Sequence, residues 1–429
     1  MERKPRYFSE KAKRTGAPPI SYLMNAAVTN KDVISLAAGL VDYETLPVAE
    51  TRSALQRLLS DPARAREMLQ YGTTEGLTRL REQALGRYLS GPARQAVAVD
   101  DVIIATGSQQ LLYLVAEELL DPGDIVLVAA PTYFVLLGAL ESMGARAVGI
   151  PMDEDGMQVD VLAEELQRLT DAGERERVKF IYADTYFQNP TGRSLSVARR
   201  RQLLEVAERF STAEHRIFVL EDAAYRELSY EREDTPPIKQ FDEANRHVIY
   251  LGTFSKPFSP GLKTGFGFFP RELVPTLLYL KGSHDFGSAN FCQHLLSEAL
   301  TSGVLDAHAE MLRRAYRRKR DVMLAALRRH LGPDVRYTVP GGGLYVWVEM
   351  PAGVNTGRRG NYFRACLSAG VLYVPGEYCF AQEGPFVRPK ACLRLCYAVP
   401  NEAEIEEGVA RMGRALAGLR VRAADTART

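Results

Sequence analysis

The sequence predicts an α/β protein: a large domain with a mainly parallel sheet flanked by helices, followed by a smaller α+β domain. Three observations carry this. Between residues 101 and about 300, short apolar runs alternate with stretches of helical spacing, as in IVLVAAP, TYFVLLGALESMG, ARAVGIPM, VLAEELQRLT and VKFIYAD. Glycine, asparagine and acidic residues follow those apolar runs, as they do where strand ends open onto a crevice. Beyond Leu300 the rhythm changes to a long arginine-rich helix predicted over about 304–331, then Gly341-Gly342-Gly343 before LYVWVEM, a strand CLRLCYAVP and a terminal helix.

Composition narrows the class. The chain has 429 residues, 46% hydrophobic and 25% charged, with a formal net charge of +1, enough for about two to three domains with sizeable cores. A near-neutral balance gives no reason to expect nucleic acid or an anionic membrane as partner. No apolar run approaches the length of a membrane span. The five cysteines form no Cys-x-x-Cys pair, which fits neither a disulfide framework nor a zinc site and points to a reducing cytoplasm with no metal. The opening MERKPRYFSEKAKRTG carries Glu2 and Glu10 and lacks an apolar core, so it reads as an N-terminal arm and not as a secretory signal. The tail after about Leu419 reads as loose.

Taken in order, ISYLMNAAVTNKDVISLAAGL from Ile20 reads as a short helix followed by an apolar strand ending at Gly39. That glycine is either a turn or a place where backbone approaches a ligand. Val48 to Met68 has helical spacing, and YGTTEGLTRLREQ from Tyr71 reads as a turn entering an amphipathic helix with Thr73 or Thr74 near its cap. VIIAT then leads through Gly107 into Ser108, Gln109 and LLYLVAEELL. A hydroxyl and free backbone N–H groups at a helix start make an anion cradle, and a plain helix cap is the competing reading. The stretch is neither a Walker loop nor a dinucleotide fingerprint. Tyr133, past Pro131-Thr132, is placed to cover a flat ligand or to pack in the core.

VKFIYADTYFQNPTG ends a strand in Asn189-Pro190-Thr191-Gly192, where Asn189 has an amide to donate into the same crevice. RIFVLEDAAY places Asp222 and Tyr225 after another strand, and a carboxylate there needs a cation or several donors unless it is a cap or a surface acid. VIYLGTFSKPFSPGLKTGFGFFP sets Lys256 between two strands, Val248–Leu251 and Thr264–Phe269. The arginines of the helix over 304–331 are interspersed with Ala, Met and Leu, which reads as a solvated face and not as a nucleic-acid surface.

An amine, a buried acid, amide and phenol donors, an anion cradle and an aromatic ring after the strands of one sheet describe a cofactor site. The ordered set YGTTEGLTRLRE, TGSQQ, PTYF, FQNPTG, EDAAY, TFSKPFSPGLKTGFG and CLRLCY resembles the fold type I pyridoxal-phosphate enzymes. Within them it is similar to the class I/II aminotransferases, and to the kynurenine/2-aminoadipate subgroup in particular. The resemblance spans nearly the whole chain from about Ile20. It implies an aspartate aminotransferase-like fold with a seven-stranded sheet. The implied domains are an arm and helix over 1–28, a small domain of 29–50 with 305–429, and a large domain over 51–304.

The resemblance also implies roles. Lys256 would form the Schiff base with pyridoxal 5′-phosphate and later move a proton, which requires its neutral amine. Asp222 would pair with the ring nitrogen, Tyr225 and Asn189 would bond the phenolic oxygen, and Tyr133 would stack on the ring. Ser108, Gln109, Thr253, Ser255 and Lys263 would bind the phosphate. Lys263 departs from the arginine usual at that position, replacing a bidentate fork by a point charge. Tyr71 would reach the phosphate of the neighbouring subunit of a homodimer. Arg394 would hold the substrate α-carboxylate, Asn189 would also contact the substrate, and Gly39 would lie over it. Relatives that take acidic substrates often carry arginine after the isoleucine of the N-terminal helix, whereas Ser21 follows Ile20 here, so the resemblance does not support an acidic preference.

The activity implied is amino transfer between an L-amino acid and a 2-oxo acid. Lyases, decarboxylases, cyclases and oxygen-dependent amino-acid oxidases share the scaffold, and the sequence leaves them open; His284 and Asp285 in SHDFGSANFCQ are the polar pair to inspect, a structural histidine being the competing reading. A regulatory module would need a DNA-binding extension, for which the roughly thirty residues before the first motif leave no room.

Overall fold

The computed structural model describes residues 7–17, 22, 32–231 and 235–426, with side chains through 420. Of the arm expected over 1–28, the described part carries a short helix, Glu10–Arg14, whose N-terminus is capped by Ser9 Oγ accepting from the Ala12 N–H. The Ile20–Ser21 step lies outside the described residues.

A two-residue strand β1 (Ile34–Ser35) precedes the main sheet. That sheet comprises β2 (Val102–Ala105), β3 (Ile125–Ala130), β4 (Arg146–Asp153), β5 (Gly156–Met157), β6 (Val178–Asp184), β7 (Phe218–Asp222), β8 (Val248–Thr253) and β9 (Gly265–Phe268). Its strand order is β2-β9-β8-β7-β6-β3-β4-β5. The pairs β8–β7, β7–β6, β6–β3 and β3–β4 are parallel, while β9 runs antiparallel to both neighbours. These include the seven strands the sequence predicts, and β5 adds a short hairpin partner outside β4. VIIA, IVLVAA and VIYLGT are buried at every residue, so they show no alternation: helices cover both faces.

Register places the chemistry. Asp184 lies opposite Asp222, and Asp222 opposite Leu251, so β6, β7 and β8 finish at one edge of the sheet. The helix Ser108–Leu119 starts at the same edge from Gly107, whose φ of +78° is a left-handed conformation that glycine adopts without strain. Strand β9 runs so close beneath this turn that a Cβ on Gly265 would lie 2.5 Å from the Ser108 backbone nitrogen.

The second lobe holds β10 (Arg336–Tyr337), β11 (Tyr345–Glu349), β12 (Val371–Leu372), β13 (Val374–Pro375) and β14 (Cys392–Cys396). The order β10-β11-β14-β13 is antiparallel throughout, and β12 pairs with β1 in parallel. Leu36 and Ala37 are buried in the same core as Leu344, Val346, Leu393 and Leu395. The arginine-rich helix is observed as Val304–His330. Arg314, Arg317, Arg318, Arg328 and Arg329 do form a solvated face, but Lys319 and Arg320 are buried. Lys319 Nζ pairs with Asp42 at 2.6 Å and donates to the Ala398 carbonyl, and Arg320 donates to the Pro340 carbonyl. The helix after Tyr71 begins at Thr78, so Thr73 and Thr74 do not cap it; Thr74 Oγ1 instead donates to the Phe286 carbonyl. No helix among the described residues is long and apolar enough to cross a membrane, and no group of metal-ligating side chains is found among them.

Because β9 supports the cradle turn by backbone contact, Gly265→Ala is expected to destabilise the fold by about 1–3 kcal/mol. Denaturant unfolding of the variant measures this, and an unchanged midpoint contradicts the packing argument.

Candidate active site

The strand ends and the second lobe enclose a cavity of about 290 Å³. Gly39, Ser108, Gln109, Tyr133, Asn189, Asp222, Tyr225, Thr253, Ser255, Lys256, Lys263 and Arg394 all line it. Tyr71 does not; it stands 86% exposed on the surface with its ring edge-on to Phe286.

Lys256 follows β8, and its Nζ donates to the Gly39 carbonyl at 3.1 Å. Burial, reinforced by the cations of Arg394 and Lys263, pushes its pKa down to about 8. Asp222, the last residue of β7, accepts from Tyr182 Oη at 3.0 Å and from the Ala224 N–H at 3.1 Å. Burial pushes its carboxyl up to about 6, the position of an acid that a cation in the cavity would bring down.

Arg394 reaches in from β14 with only 2% of its surface exposed. One terminal nitrogen donates to Asn189 Oδ1 at 2.8 Å and the other to the Ala37 carbonyl at 2.7 Å, while Nε is buried without a partner. The bond to Asn189 fixes the amide with its NH₂ as the remaining donor. Tyr225 Oη shares a 3.0 Å hydrogen bond with Tyr345 Oη, and the Arg394 guanidinium lies 4.3 Å from the Tyr345 ring centroid. A Cβ on Gly39 would come within 2.6 Å of Tyr345 Oη, so this backbone passes as close to the tyrosine as glycine permits.

At the other end of the cavity, Ser108 and Gln109 open their helix after Gly107, and Tyr133 Oη donates to Gln109 Oε1 at 3.2 Å. Thr253 Oγ1 accepts from the Ser255 N–H, bracing the turn that carries Lys256. Lys263 has φ +46°, a left-handed conformation that ends the turn Pro260–Leu262. His284 does not line this cavity: its Nε2 lies 2.8 Å from Glu117, and Asp285 bonds Lys281 and Gln110.

The donor set fits pyridoxal phosphate. A helix start with hydroxyls and a lysine suits a phosphate, a buried acid suits a ring nitrogen, an amine of lowered pKa suits an aldehyde, and the orphaned Arg394 Nε suits a carboxylate. The sequence profile described as Aminotransferase class I and II matches residues 31–412. The chain belongs to that family.

Two relatives bound its closeness. The aminotransferase is 37% identical over 407 residues to an aromatic-amino-acid aminotransferase 1 of Thermococcus litoralis, covering 95% of this chain and 93% of that one. It is 36% identical over 414 residues to a 2-aminoadipate transaminase of Thermus thermophilus, covering 96% and 97%. A kynurenine aminotransferase of Pyrococcus horikoshii, solved in complex with PMP, superposes with a TM-score of 0.86 at 34% identity over 96% of this chain and 97% of that one. The aminotransferase therefore uses pyridoxal phosphate to transfer amino groups between amino acids and oxo acids.

Tyr345, Asp184 and the apolar wall of Leu40, Phe134 and Val135 were not singled out by the sequence reading. The LYVWVEM strand was legible, but a tyrosine in it carries no signal of facing the cavity.

With a pKa of about 8, the Lys256 amine is about half neutral near that pH, against well under a hundredth for an ordinary lysine. The rate at which cofactor-free protein develops a visible pyridoxal band should rise with pH to a plateau with a midpoint near about 8. Lys256→Ala should abolish the band, and a midpoint near that of ordinary lysine contradicts the assignment.

Proposed function

We propose that Lys256 is the Schiff-base lysine of a dimeric aminotransferase selective for amino acids with aromatic or large apolar side chains. The observation that supports this best is the cavity's lining, where Lys256, Lys263, Arg394 and Asp222 each have a task and the wall beside them includes Leu40, Tyr133, Phe134, Val135 and Tyr345.

Bound at Lys256, pyridoxal phosphate supplies a ring that accepts negative charge from the substrate α-carbon. Ser108, Gln109, Thr253 and Ser255 hold its phosphate by hydrogen bonds, with Lys263 as a point charge. Asp222 holds a proton on the ring nitrogen, kept in place by Tyr182 and the Ala224 N–H. Tyr225 and the Asn189 amide donate to the phenolic oxygen, and Tyr133 covers the ring. Arg394 receives the substrate α-carboxylate, which takes the free Nε and competes for the terminal nitrogens. The Lys256 amine, set free when the substrate's own amine displaces it, would take the proton from the substrate α-carbon and hand it back on the cofactor side. Gly39 leaves backbone room for the substrate beneath Tyr345.

The same reading divides the chain into a small domain of 29–50 with 305–429 and a large one of 51–304. The shared core of Leu36 and Ala37 with β11 and β14, and the Lys319–Asp42 pair, support it. The homodimer is supported by an exposed aromatic patch of Tyr71, Tyr279 and Phe286, with Asp285 beside it bonded to Gln110 of the cradle helix. A second copy covering this patch would bring its Tyr71 toward the cradle. The five free cysteines support a reducing cytoplasmic setting.

Two measurements test the proposal. In a panel of amino donors with a 2-oxo acid acceptor, kcat/KM for phenylalanine, tyrosine and leucine should exceed that for 2-aminoadipate by about 10- to 200-fold, the discrimination an apolar pocket provides. A preference for 2-aminoadipate sinks the specificity reading. Light scattering should give twice the chain mass of 47.7 kDa, and Tyr71→Phe should weaken cofactor binding by about tenfold. A monomer with full cofactor affinity contradicts the shared site.

A further inference from the structure

A second acid enters the cavity beside Asp222, and the chemistry above does not use it. Asp184 is the last residue of β6 and lies opposite Asp222, the last residue of β7. Both line the cavity. Asp184 Oδ2 accepts one hydrogen bond, from the Asn189 N–H at 2.9 Å, and Oδ1 is buried with no partner. Asp222 accepts two, from Tyr182 and Ala224.

Neighbouring carboxyls out of water resist carrying two negative charges, and the proton settles on the one with fewer donors. Here that is Asp184, whose pKa is raised first by burial and then by the charge of Asp222. The other groups around it do not alter this. Tyr182 on its own strand, Tyr133 after β3, Tyr225 after β7 and Tyr345 on β11 are phenols that burial keeps neutral. The Arg394 guanidinium on β14 is engaged by Asn189 and Ala37, and the Lys256 amine bonds Gly39.

We propose that Asp184 is a further cofactor-site residue that works as the neutral acid. It leaves one negative charge, on Asp222, for the ring nitrogen, and presents its Oδ1 hydroxyl as a donor into the cavity between Asp222 and Asn189. Charge economy is the reason for the arrangement. A second anion at this place would hold protons more tightly on every basic group of the bound chromophore, whereas a neutral donor holds the ring without that penalty. This rests on pyridoxal phosphate occupying the cavity as described above.

The test is a spectroscopic pH titration of the holoenzyme through the neutral and alkaline range, comparing wild type with Asp184→Asn. The visible band should titrate with the same midpoint in both proteins, because asparagine reproduces a neutral, donating side chain. A midpoint in Asp184→Asn lower by about one pH unit or more means that a charged Asp184 was removed, and overturns the proposal.

Asp184→Leu, checked for folding by thermal melting, should bind pyridoxal phosphate about tenfold more weakly through loss of the donor. Unchanged affinity contradicts the donor role. A wild type with no visible band at all would instead refute the cofactor reading itself.

Discussion

Everything in this molecule is arranged around the cost of keeping Lys256, Asp222 and Arg394 together out of water. Burying even one such charge costs several kcal/mol unless polar groups replace its hydration. The fold supplies those groups from strand ends. Lys256 leans on the Gly39 carbonyl, Asp222 on Tyr182 and a backbone N–H, and Arg394 on Asn189 and the Ala37 carbonyl. Each satisfied bond leaves one function of the side chain free: the amine lone pair, the carboxylate's affinity for a cation, and the buried Nε.

The same economy joins the two lobes. Arg394 and Tyr345 belong to the small sheet, yet their partners Asn189 and Tyr225 follow strands of the large one. Leu36 and Ala37 pack in one core with β11 and β14, and Asp42 is held by Lys319. Arg394 and Lys256 come together only in the cavity between the lobes.

How much of this could be read beforehand differs by residue. Gly107-Ser108-Gln109, Asn189, Asp222 and Lys256 were legible because each sits where an apolar run stops, and a strand end is a local signal. Tyr345 was not, because tyrosine is an ordinary strand residue and only the pairing of β11 with β14 brings it against Arg394. Asp184 closes a strand as Asp222 does, but a terminal aspartate reads equally as a cap. Arg320 reads with the exposed arginines beside it as part of a solvated face, and only its packing against Pro340 separates it. Tyr71 lies outside the cavity, on the exposed surface.

The sequence by itself determined the kinds of side chain present and their order: a hydroxyl and amide at a helix start, an aromatic ring, an asparagine, an acid, an amine and an arginine, each set by a few adjacent residues. Only the tertiary structure decided which of these groups share a field. Asn189 and Arg394 lie 205 positions apart and touch, while Asp184 and Asp222 are neighbours solely through the register of two parallel strands. Protonation and hydrogen bonding depend on distances of a few ångströms across the fold, and separation along the chain does not encode those distances.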